Sequence, residues 1–219
     1  MTEVLALIDY GAGNLYSVEN ALKAAGRAAQ WDGRVALTAD PDVVRCADRI
    51  VLPGVGSFRA CAEGLRAIPG LIAAMEERVL VGTAPFLGIC VGMQLLATQG
   101  VEHGITPGLG WIPGEVRLIE PADATIKIPH MGWNDVVGPH HGFGHHTDGA
   151  TLITPGEAYF LHSYHFVPED GHHIAAITDH GGGLVAAVAQ ANILGVQFHP
   201  EKSQSYGLEL LGRFLEWKP

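Results

Sequence analysis

The chain has 219 residues, of which 47% are hydrophobic and 16% charged, and its formal net charge is −10. The sequence is too apolar for a disordered protein, and its acidic balance excludes nucleic-acid phosphate as its main ligand. Its 29 glycines follow no collagen period, so we expect them at tight turns and close backbone approaches. The length predicts one domain over residues 1–219, with a core large enough for an enzyme.

We expect neither an export signal nor a membrane span. The chain begins with Met-Thr-Glu, and Asp9 ends the first apolar run, whereas a secretion signal has a basic start and roughly 7–15 apolar residues. Residues 79–101 carry no charge, but Pro85 and the glycines among them predict a strand, a turn and a helix. The 3 cysteines show no paired spacing, which favours a reducing, cytoplasmic location.

Strands and helices alternate in the first half of the chain. Continuous apolar runs mark strands that are covered on both faces. The predicted elements, in chain order, are a strand Val4–Ile8, a helix over 15–25 stopped by Gly26, a helix that begins at Asp40-Pro41, a strand over 49–52, a helix capped by Ser57 that runs through Leu65, a helix after Gly70, a strand over 86–89 and a helix over 91–98. This order predicts an α/β fold with a mostly parallel central sheet flanked by helices.

Short apolar runs separated by turn residues dominate the second half, and they predict antiparallel strand additions. These runs cover 115–119, 125–128, 159–166, 173–178, 184–189 and 193–198. A helix over 204–217 closes the chain, with Leu210, Leu211, Phe214 and Leu215 on one face. No linker is long enough to separate two domains.

The strongest functional signal is Gly-Ile-Cys-Val-Gly at 88–92, between a predicted buried strand and a predicted helix. A nucleophile on such a strand-to-helix turn needs small neighbours two residues away on each side, because the backbone is crowded there. The helix N-terminus favours a thiolate at Cys90, and the N–H of Val91 points where an oxyanion would form. Cys46 and Cys61 lie in helical patterns, and we interpret them as structural cysteines.

A general base is predicted in Gln-Phe-His-Pro-Glu at 197–201. Pro200 favours an extended conformation for His199, and residues two apart on an extended strand share a face. The Glu201 carboxylate can therefore accept the imidazole N–H and fix its tautomer. Together with Cys90, these residues form a nucleophile, base and orienting group.

Two glycine-rich loops follow predicted strands. Pro-Gly-Val-Gly-Ser-Phe at 53–58 can offer backbone N–H groups to an anion; a phosphate loop is the alternative, but the Gly-Lys-Ser/Thr ending is missing. Gly-Ala-Gly-Asn at 11–14 also follows a strand, but Tyr16 stands where a dinucleotide fingerprint has its third glycine.

Taken together, these motifs resemble the class I, triad-type glutamine amidotransferases, and more narrowly the glutaminase subunits of imidazole glycerol phosphate synthases. The block Pro-His-Met-Gly-Trp-Asn at 129–134 is the most diagnostic, because general amidotransferases lack it. The motifs that carry the likeness are Asp-Tyr-Gly-Ala-Gly-Asn-Leu at 9–15, Leu-Pro-Gly-Val-Gly-Ser-Phe at 52–58, Gly-Ile-Cys-Val-Gly-Met-Gln at 88–94, the 129–134 block, His-Ser-Tyr at 162–164 and Gln-Phe-His-Pro-Glu-Lys-Ser at 197–203.

The resemblance implies that the chain hydrolyses L-glutamine to glutamate and ammonia through a cysteine thioester. It implies a heterodimer in which the ammonia passes to a separate (β/α)₈-barrel cyclase subunit. That partner forms imidazole glycerol phosphate and aminoimidazole carboxamide ribotide in histidine biosynthesis. No cofactor and no metal are expected.

The resemblance also assigns roles to single residues. The expected catalytic residues are Cys90, His199 and Glu201. The expected oxyanion hole consists of Val55, Gly56 and Val91. Contacts with glutamine are expected from Gly54, Gln94, Glu102, Ser163 and Tyr164. The residues expected to face the partner are Asn14, Trp133, Tyr159 and Lys202.

Several alternatives remain open at this point. A cysteine peptidase or γ-glutamyl hydrolase could share the fold and the triad, and the glutaminase of pyridoxal phosphate synthesis is a closer rival with another partner. The histidine-rich segment 139–146 leaves open the alternative of a metal-binding protein. Its spacing fits no zinc pattern, and a surface loop is the favoured interpretation. Trp133 could equally be a core aromatic residue.

Overall fold

The computed structural model describes residues 2–123, 125–138 and 148–219. Within them, strands form a seven-stranded central sheet, a four-stranded sheet and a two-stranded sheet. The strands are β1 Val4–Ile8, β2 Arg34–Thr38, β3 Arg49–Gly54, β4 Phe86–Cys90, β5 Gln99–Gly100, β6 Thr106–Pro107, β7 Gly114–Leu118, β8 His130–Val136, β9 Gly156–His162, β10 Tyr164–Pro168, β11 Ile174–Asp179, β12 Gly183–Gln190 and β13 Ile193–Val196.

The central sheet confirms the predicted α/β class. Its strand order is β11-β12-β13-β4-β3-β1-β2. The pairs from β13 through β4, β3 and β1 to β2 are parallel, whereas β11, β12 and β13 pair antiparallel. β1, β3, β4 and β13 are almost wholly buried, which agrees with their continuous apolar runs. The edge strand β2, which no apolar run predicts, is half-buried or exposed.

The helices lie close to their predicted positions. They are α1 Leu15–Ala28, α2 Pro41–Arg45, α3 Phe58–Arg66, α4 Leu71–Glu76, α5 Val91–Gln94 and α6 Gln204–Glu216, with a π-helical turn Glu77–Val81 after α4. Asp40 caps α2 by accepting the Asp42 N–H at 2.9 Å, as predicted. Ser57 caps α3 by accepting the Ala60 N–H at 3.2 Å. Local capping chemistry therefore sets these starting points.

Two predicted helix ends are wrong. Gly26 does not stop α1; the left-handed residue after the helix is Gln30, with φ 54°, and Trp31 N–H returns to the Gly26 carbonyl at 2.9 Å. The helix predicted over 91–98 ends at Gln94. The N–H groups of the segment 109–112 bond the carbonyls of residues 95–97, and these bonds replace the next helical turn.

The second half departs further from expectation. Residues 125–128 form a turn and a bend rather than a strand. The predicted strand over 159–166 is interrupted at Ser163, which separates β9 from β10. β8 was not predicted as a strand; it pairs antiparallel with β9 in a separate sheet. The Ser163 break places residues of both strands at the wall of one cavity.

The sheet brings the candidate site together at its carboxyl edge. β3 and β4 are adjacent and parallel, with Gly54 opposite Cys90 in register. The loop after β3 and the turn after β4 therefore meet at the edge where open parallel sheets place their ligands. In the part of the chain that the structure describes, no helix is long and apolar enough to cross a bilayer.

Candidate active site

Cys90 lies on a strained turn between β4 and α5. Its backbone has φ 54° and ψ −112°, a conformation that costs about 1–3 kcal/mol and persists only where the surroundings impose it. A Cβ added at Gly92 would lie 1.9 Å from the Leu52 carbonyl oxygen, and one at Gly88 would lie 2.6 Å from the Gly92 carbonyl oxygen. Both neighbours must therefore be glycine, and the turn directs the Cys90 side chain to the edge of the sheet.

His199 and Glu201 lie beside this turn as a buried pair. Nδ1 of His199 is 2.9 Å from Oε1 of Glu201, and the two side chains are 3% and 2% exposed. The carboxylate accepts the Nδ1 proton, which leaves Nε2 of His199 for the cysteine. The structure thus brings together the three residues that the sequence predicted as nucleophile, base and orienting group.

The pair is built differently from the prediction. β13 ends at Val196, and Glu201 lies in the 3₁₀ turn Pro200–Lys202 rather than on an extended strand. Only His199 is extended, with φ −103° and ψ 97°. The chain turns after Pro200, and this turn, rather than the alternation of side chains along a strand, places the Glu201 carboxylate beside the His199 imidazole.

Neighbouring elements hold the histidine backbone. The His199 N–H donates to the Tyr159 carbonyl at 2.9 Å. The buried Ser203 hydroxyl donates to the His199 carbonyl at 2.7 Å and accepts the Tyr159 N–H at 2.9 Å. β9 and the start of α6 therefore fix the position of the base.

The electrostatics of His199 favour its protonated form. Burial alone would lower its pKa, but hydrogen bonds with Cys90 and Glu201, and the negative charge of both, raise the pKa to about 10. An imidazolium at neutral pH suits a thiolate partner and an acid that protonates a leaving amine.

The predicted oxyanion residues border the nucleophile. Val55, Gly56 and Val91 all line the cavity that contains Cys90. Gly56 has φ 93°, and the Val55 carbonyl accepts from the Cys61 thiol at 3.3 Å. Gly54 packs behind the turn, since a Cβ there would meet the Gly92 nitrogen at 2.6 Å. Residues of two loops therefore line the same cavity as the nucleophile.

A cavity of about 360 Å³ opens over the nucleophile. Gln94 is buried and donates Nε2–H to the Tyr164 carbonyl and to Gln197 Oε1, each at 2.9 Å. Glu102 accepts the Phe58 N–H at 2.8 Å, at the start of α3. The cavity is lined by Asn14, Val55, Gly56, Cys90, Val91, Gln94, Glu102, Leu161, His162, Ser163, Tyr164, His199 and Lys202. Four of the five residues predicted to bind glutamine are in this set, and Gly54 is the exception.

Two of the four residues predicted to face a partner, Asn14 and Lys202, line the cavity, whereas Trp133 and Tyr159 do not. Lys202 Nζ lies 5.7 Å from the centre of the Tyr159 ring, and the Trp133 ring lies edge-on to that ring, with centroids 6.1 Å apart. Trp133 is 46% exposed, which excludes the core-aromatic alternative. The two aromatic residues therefore adjoin the cavity lining through Lys202.

Sequence reasoning missed two residues of the site. His162 lines the cavity, and Gln197 Nε2 lies 3.7 Å from Cys90 Sγ. Both stand inside motifs that were noticed, and the position of Gln197 two residues before His199 was the available signal. The predicted histidine-rich segment 139–146 lies outside the described residues.

Sequence comparisons place the chain among glutamine amidotransferases. Residues 6–216 match the class-I glutamine amidotransferase family. The chain is 57% identical to the imidazole glycerol phosphate synthase subunit HisH of Zymomonas mobilis, over 100% of this chain and 98% of the relative. It is 52% identical to the HisH subunit of Caulobacter vibrioides, over 99% of this chain and 100% of that protein.

Solved structures share the fold at low sequence identity. A crystal structure described as a glutamine amidotransferase has a TM-score of 0.64 and 19% identity, covering 96% of this chain and 97% of that one. The glutaminase domain of Trypanosoma brucei CTPS, with bound acivicin, has a TM-score of 0.63 and 17% identity, covering 98% and 92%. These two likenesses bear on the architecture alone.

Proposed function

This chain belongs to the class I glutamine amidotransferases and, among them, to the HisH subunits of imidazole glycerol phosphate synthase, and from this premise we propose how its residues act. The chain hydrolyses glutamine and supplies the cyclase subunit in histidine biosynthesis. One observation carries the proposed mechanism. The buried His199–Glu201 pair, 2.9 Å apart, lies beside a cysteine on a strained strand-to-helix turn.

The first half of the reaction forms a thioester. The Cys90 thiolate attacks the side-chain amide carbon of glutamine, and the carbonyl electrons move onto oxygen. Backbone N–H groups at Val91 and in the Val55–Gly56 loop stabilise that oxyanion. His199 then gives its Nε2 proton to the amide nitrogen, the carbon–nitrogen bond breaks, and ammonia leaves.

The second half hydrolyses the thioester. His199, now neutral, takes a proton from a water molecule that attacks the thioester carbon. Collapse of the second oxyanion breaks the carbon–sulfur bond and releases glutamate. The sulfur leaves as a thiolate, and His199 is again the imidazolium that Glu201 stabilises.

The cavity orients glutamine by charge and by backbone. The carboxylate of Glu102 suits the α-ammonium group. Because both N–H bonds of the Gln94 amide are occupied, its Oε1 is the atom left to accept from the same ammonium. Ser163 and Tyr164 line the same cavity, and the Tyr164 carbonyl holds the Gln94 amide. These contacts with the α-ammonium group predict that the cavity binds an amino acid in preference to a simple amide.

The partner is a cyclase subunit in a heterodimer, and we propose a (β/α)₈ barrel for it. The relatives are named as subunits of a synthase, which supports a partner. Asn14 and the exposed Lys202 line the cavity, Tyr159 adjoins Lys202, and the exposed Trp133 adjoins Tyr159. A barrel seated on these residues would receive ammonia directly from the cavity.

We also propose a single domain and a cytoplasmic location for this chain. Residues 1–219 form a single amidotransferase domain, since buried residues from both halves of the chain belong to one core. A cytoplasmic location fits three free cysteines, of which Cys46 is exposed.

The decisive experiment replaces the nucleophile in the assembled complex. Cys90→Ala should abolish glutamate formation, and a glutamine analogue that alkylates cysteine should label the Cys90 peptide of the wild type but not the corresponding peptide of Cys90→Ala. Cys46→Ala is the matched control and should keep both activity and labelling, because Cys46 is exposed and outside the cavity. Glutamine hydrolysis by the Cys90→Ala complex would overturn the mechanism.

A further inference from the structure

A chain of hydrogen bonds runs through buried histidines from β8 to the cavity. Nδ2 of Asn134 is 3.0 Å from Nε2 of His130, and Nδ1 of His130 is 3.0 Å from Nε2 of His162. Nδ1 of His162 is in turn 2.9 Å from the Tyr164 carbonyl oxygen. His130 is 3% exposed and His162 is 6% exposed. The proposed mechanism uses neither histidine.

The hydrogen bonds of this series all run in one consistent direction from donor to acceptor. The Tyr164 carbonyl is an acceptor only, so Nδ1 of His162 carries the proton and its Nε2 is the acceptor in a neutral ring. His130 must then donate from Nδ1, which leaves its Nε2 to accept from the Asn134 amide. The Asn134 amide also donates to the Asp179 carbonyl at 2.7 Å, which fixes the orientation of that amide. Every proton in the chain is assigned by its neighbours.

Surrounding contacts keep both rings neutral and in place. Burial lowers the pKa of His162 to about 3, and burial with the charge of His180 lowers that of His130 to about 4. The His130 ring is stacked between Phe160 and His180, with centroids 4.6 Å and 4.2 Å away. All four ring nitrogens of His130 and His162 already have partners, so the pair has no nitrogen left for a metal ion.

The assignment of donors and acceptors continues from the Tyr164 carbonyl to the nucleophile. The Tyr164 carbonyl also accepts from Gln94 Nε2, which assigns the Gln94 amide orientation. Gln94 then donates to Gln197 Oε1, so Gln197 directs its own Nε2–H toward Cys90 Sγ, 3.7 Å away. One carbonyl therefore joins the histidine chain to the substrate-binding amide.

We propose that His130 and His162 are positioning residues, which hold the Tyr164 carbonyl and thereby orient the Gln94 amide to receive glutamine. This inference rests on the proposed function of the cavity. It also connects β8, which carries the exposed Trp133, to the glutamine site through direct hydrogen bonds. The histidines touch neither the reacting carbon nor the sulfur, so they act on substrate binding through Tyr164 and Gln94.

The first test reads the tautomers directly. In the full chain labelled with ¹⁵N-histidine, His130 and His162 should both be neutral at pH 7 and protonated at Nδ1, the reverse of the form that free neutral histidine prefers. Loss of each signal in His130→Gln and His162→Gln assigns it. Nε2–H tautomers, or charged rings at pH 7, would overturn the proposed series of hydrogen bonds, whatever the activity of the enzyme.

The second test separates the two bonds of His162 in the complex with the cyclase subunit. His162→Gln keeps an acceptor for His130 but loses the donor to Tyr164, so the KM for glutamine should rise by about tenfold with kcat within about twofold. His162→Asn keeps a donor near Tyr164 and should stay within about threefold of the wild-type KM. His165→Gln, on β10 but outside the cavity lining, is the matched control and should leave KM unchanged.

The outcomes separate this inference from the proposed function. An active wild-type complex whose KM is unchanged in His162→Gln, or raised equally in His165→Gln, would overturn the positioning role alone. A fall in kcat without a change in KM would also contradict it. A wild-type complex that does not hydrolyse glutamine would overturn the function, and the positioning role with it.

Discussion

The nucleophile and its base are positioned in opposite ways. Cys90 is held by steric exclusion: a Cβ at Gly88 would meet Gly92 within the same turn, a Cβ at Gly92 would meet Leu52 on β3, and the Cys90 backbone is forced to φ 54°. His199 has ordinary backbone angles and is held by hydrogen bonds, from its N–H to Tyr159 on β9 and from the Ser203 hydroxyl, four residues on, to its carbonyl. The glycine spacing therefore marks the first position in the sequence, whereas the bonds that hold the second position leave no such mark.

The difference predicts how each half of the site fails. A change in the turn should disturb folding and catalysis together, because the backbone there has nowhere to move. A change around His199 should reduce catalysis in proportion to the bonds lost, while the nucleophile remains reactive. Three substitutions test this contrast.

The largest effect is expected from Gly92→Ala. Its Cβ would overlap the Leu52 carbonyl oxygen at 1.9 Å, so we expect a loss of about 3 kcal/mol or more in the free energy of unfolding. Displacement of Cys90 should also lower kcat/KM by about 100-fold. Urea unfolding and glutaminase assays of the complex measure both quantities.

Gly183→Ala is the control for that substitution. A Cβ at Gly183 would meet nothing within 4 Å, so its stability should change by less than about 0.5 kcal/mol. If Gly92→Ala were as stable and active as Gly183→Ala, the turn would not be sterically constrained.

An intermediate effect is expected from Glu201→Gln. The neutral side chain can still accept the Nδ1 proton but no longer stabilises the imidazolium, so kcat should fall by about 30-fold, less than the roughly 10²–10⁴ contribution of a whole acid–base group. Burial lowers the pKa of His199, and the partners Cys90 and Glu201 raise it to about 10. Without the Glu201 charge this pKa falls, so the alkaline limb of the kcat/KM profile should move to lower pH.

Glu216→Gln, which removes an exposed carboxylate near the end of α6, should leave the pH profile unchanged. An unshifted alkaline limb in Glu201→Gln would show that the carboxylate does not set the protonation of the base. Alkylation of Cys90 measured over the same pH range would then show whether the limb belongs to the cysteine.

The smallest effect is expected from Ser203→Ala. The substitution leaves the buried Tyr159 N–H and His199 carbonyl without the hydroxyl that joins them, which should cost about 2 kcal/mol of unfolding free energy. A looser base should lower kcat by about fivefold. Ser205→Ala, at an exposed serine two residues on, should change neither quantity.

Ser203→Ala also tests whether the base and the nucleophile are held independently. Stability and kcat should fall together while the rate of Cys90 alkylation falls by less than kcat. If stability fell and kcat did not, the local chain alone would position His199, and the proposed tertiary control of the base would be wrong.

The fold was predictable where local chemistry decides. The apolar runs located β1, β3, β4 and β13 but not the edge strand β2, and Asp40 and Ser57 began their helices as expected. The end of α5 was not predictable, because distant groups terminate it. The carbonyls after Gln94 are occupied by N–H groups of the segment 109–112, which no pattern within 91–98 reveals.

The site shows the same division. The spacing of glycines around Cys90 predicted the turn, and the chain order of Cys90, His199 and Glu201 predicted a triad. The pairing of His199 with Glu201 was foreseen for the wrong reason, since a 3₁₀ turn and not strand alternation makes it. His162 and Gln197 were missed because their bonds join residues far apart in the chain.

By itself, the sequence determined the backbone of the nucleophile turn, the parallel core beneath it and the motifs that carry the family likeness. These features depend on steric exclusion around the glycines and on apolar burial, both of which leave a pattern in the sequence. Only the tertiary structure decided how His199 is anchored, which protons the buried histidines carry and which atom of Gln94 faces glutamine. Hydrogen-bond direction is set by partners that meet only when β8, β9, β10 and the turn after β4 are packed together.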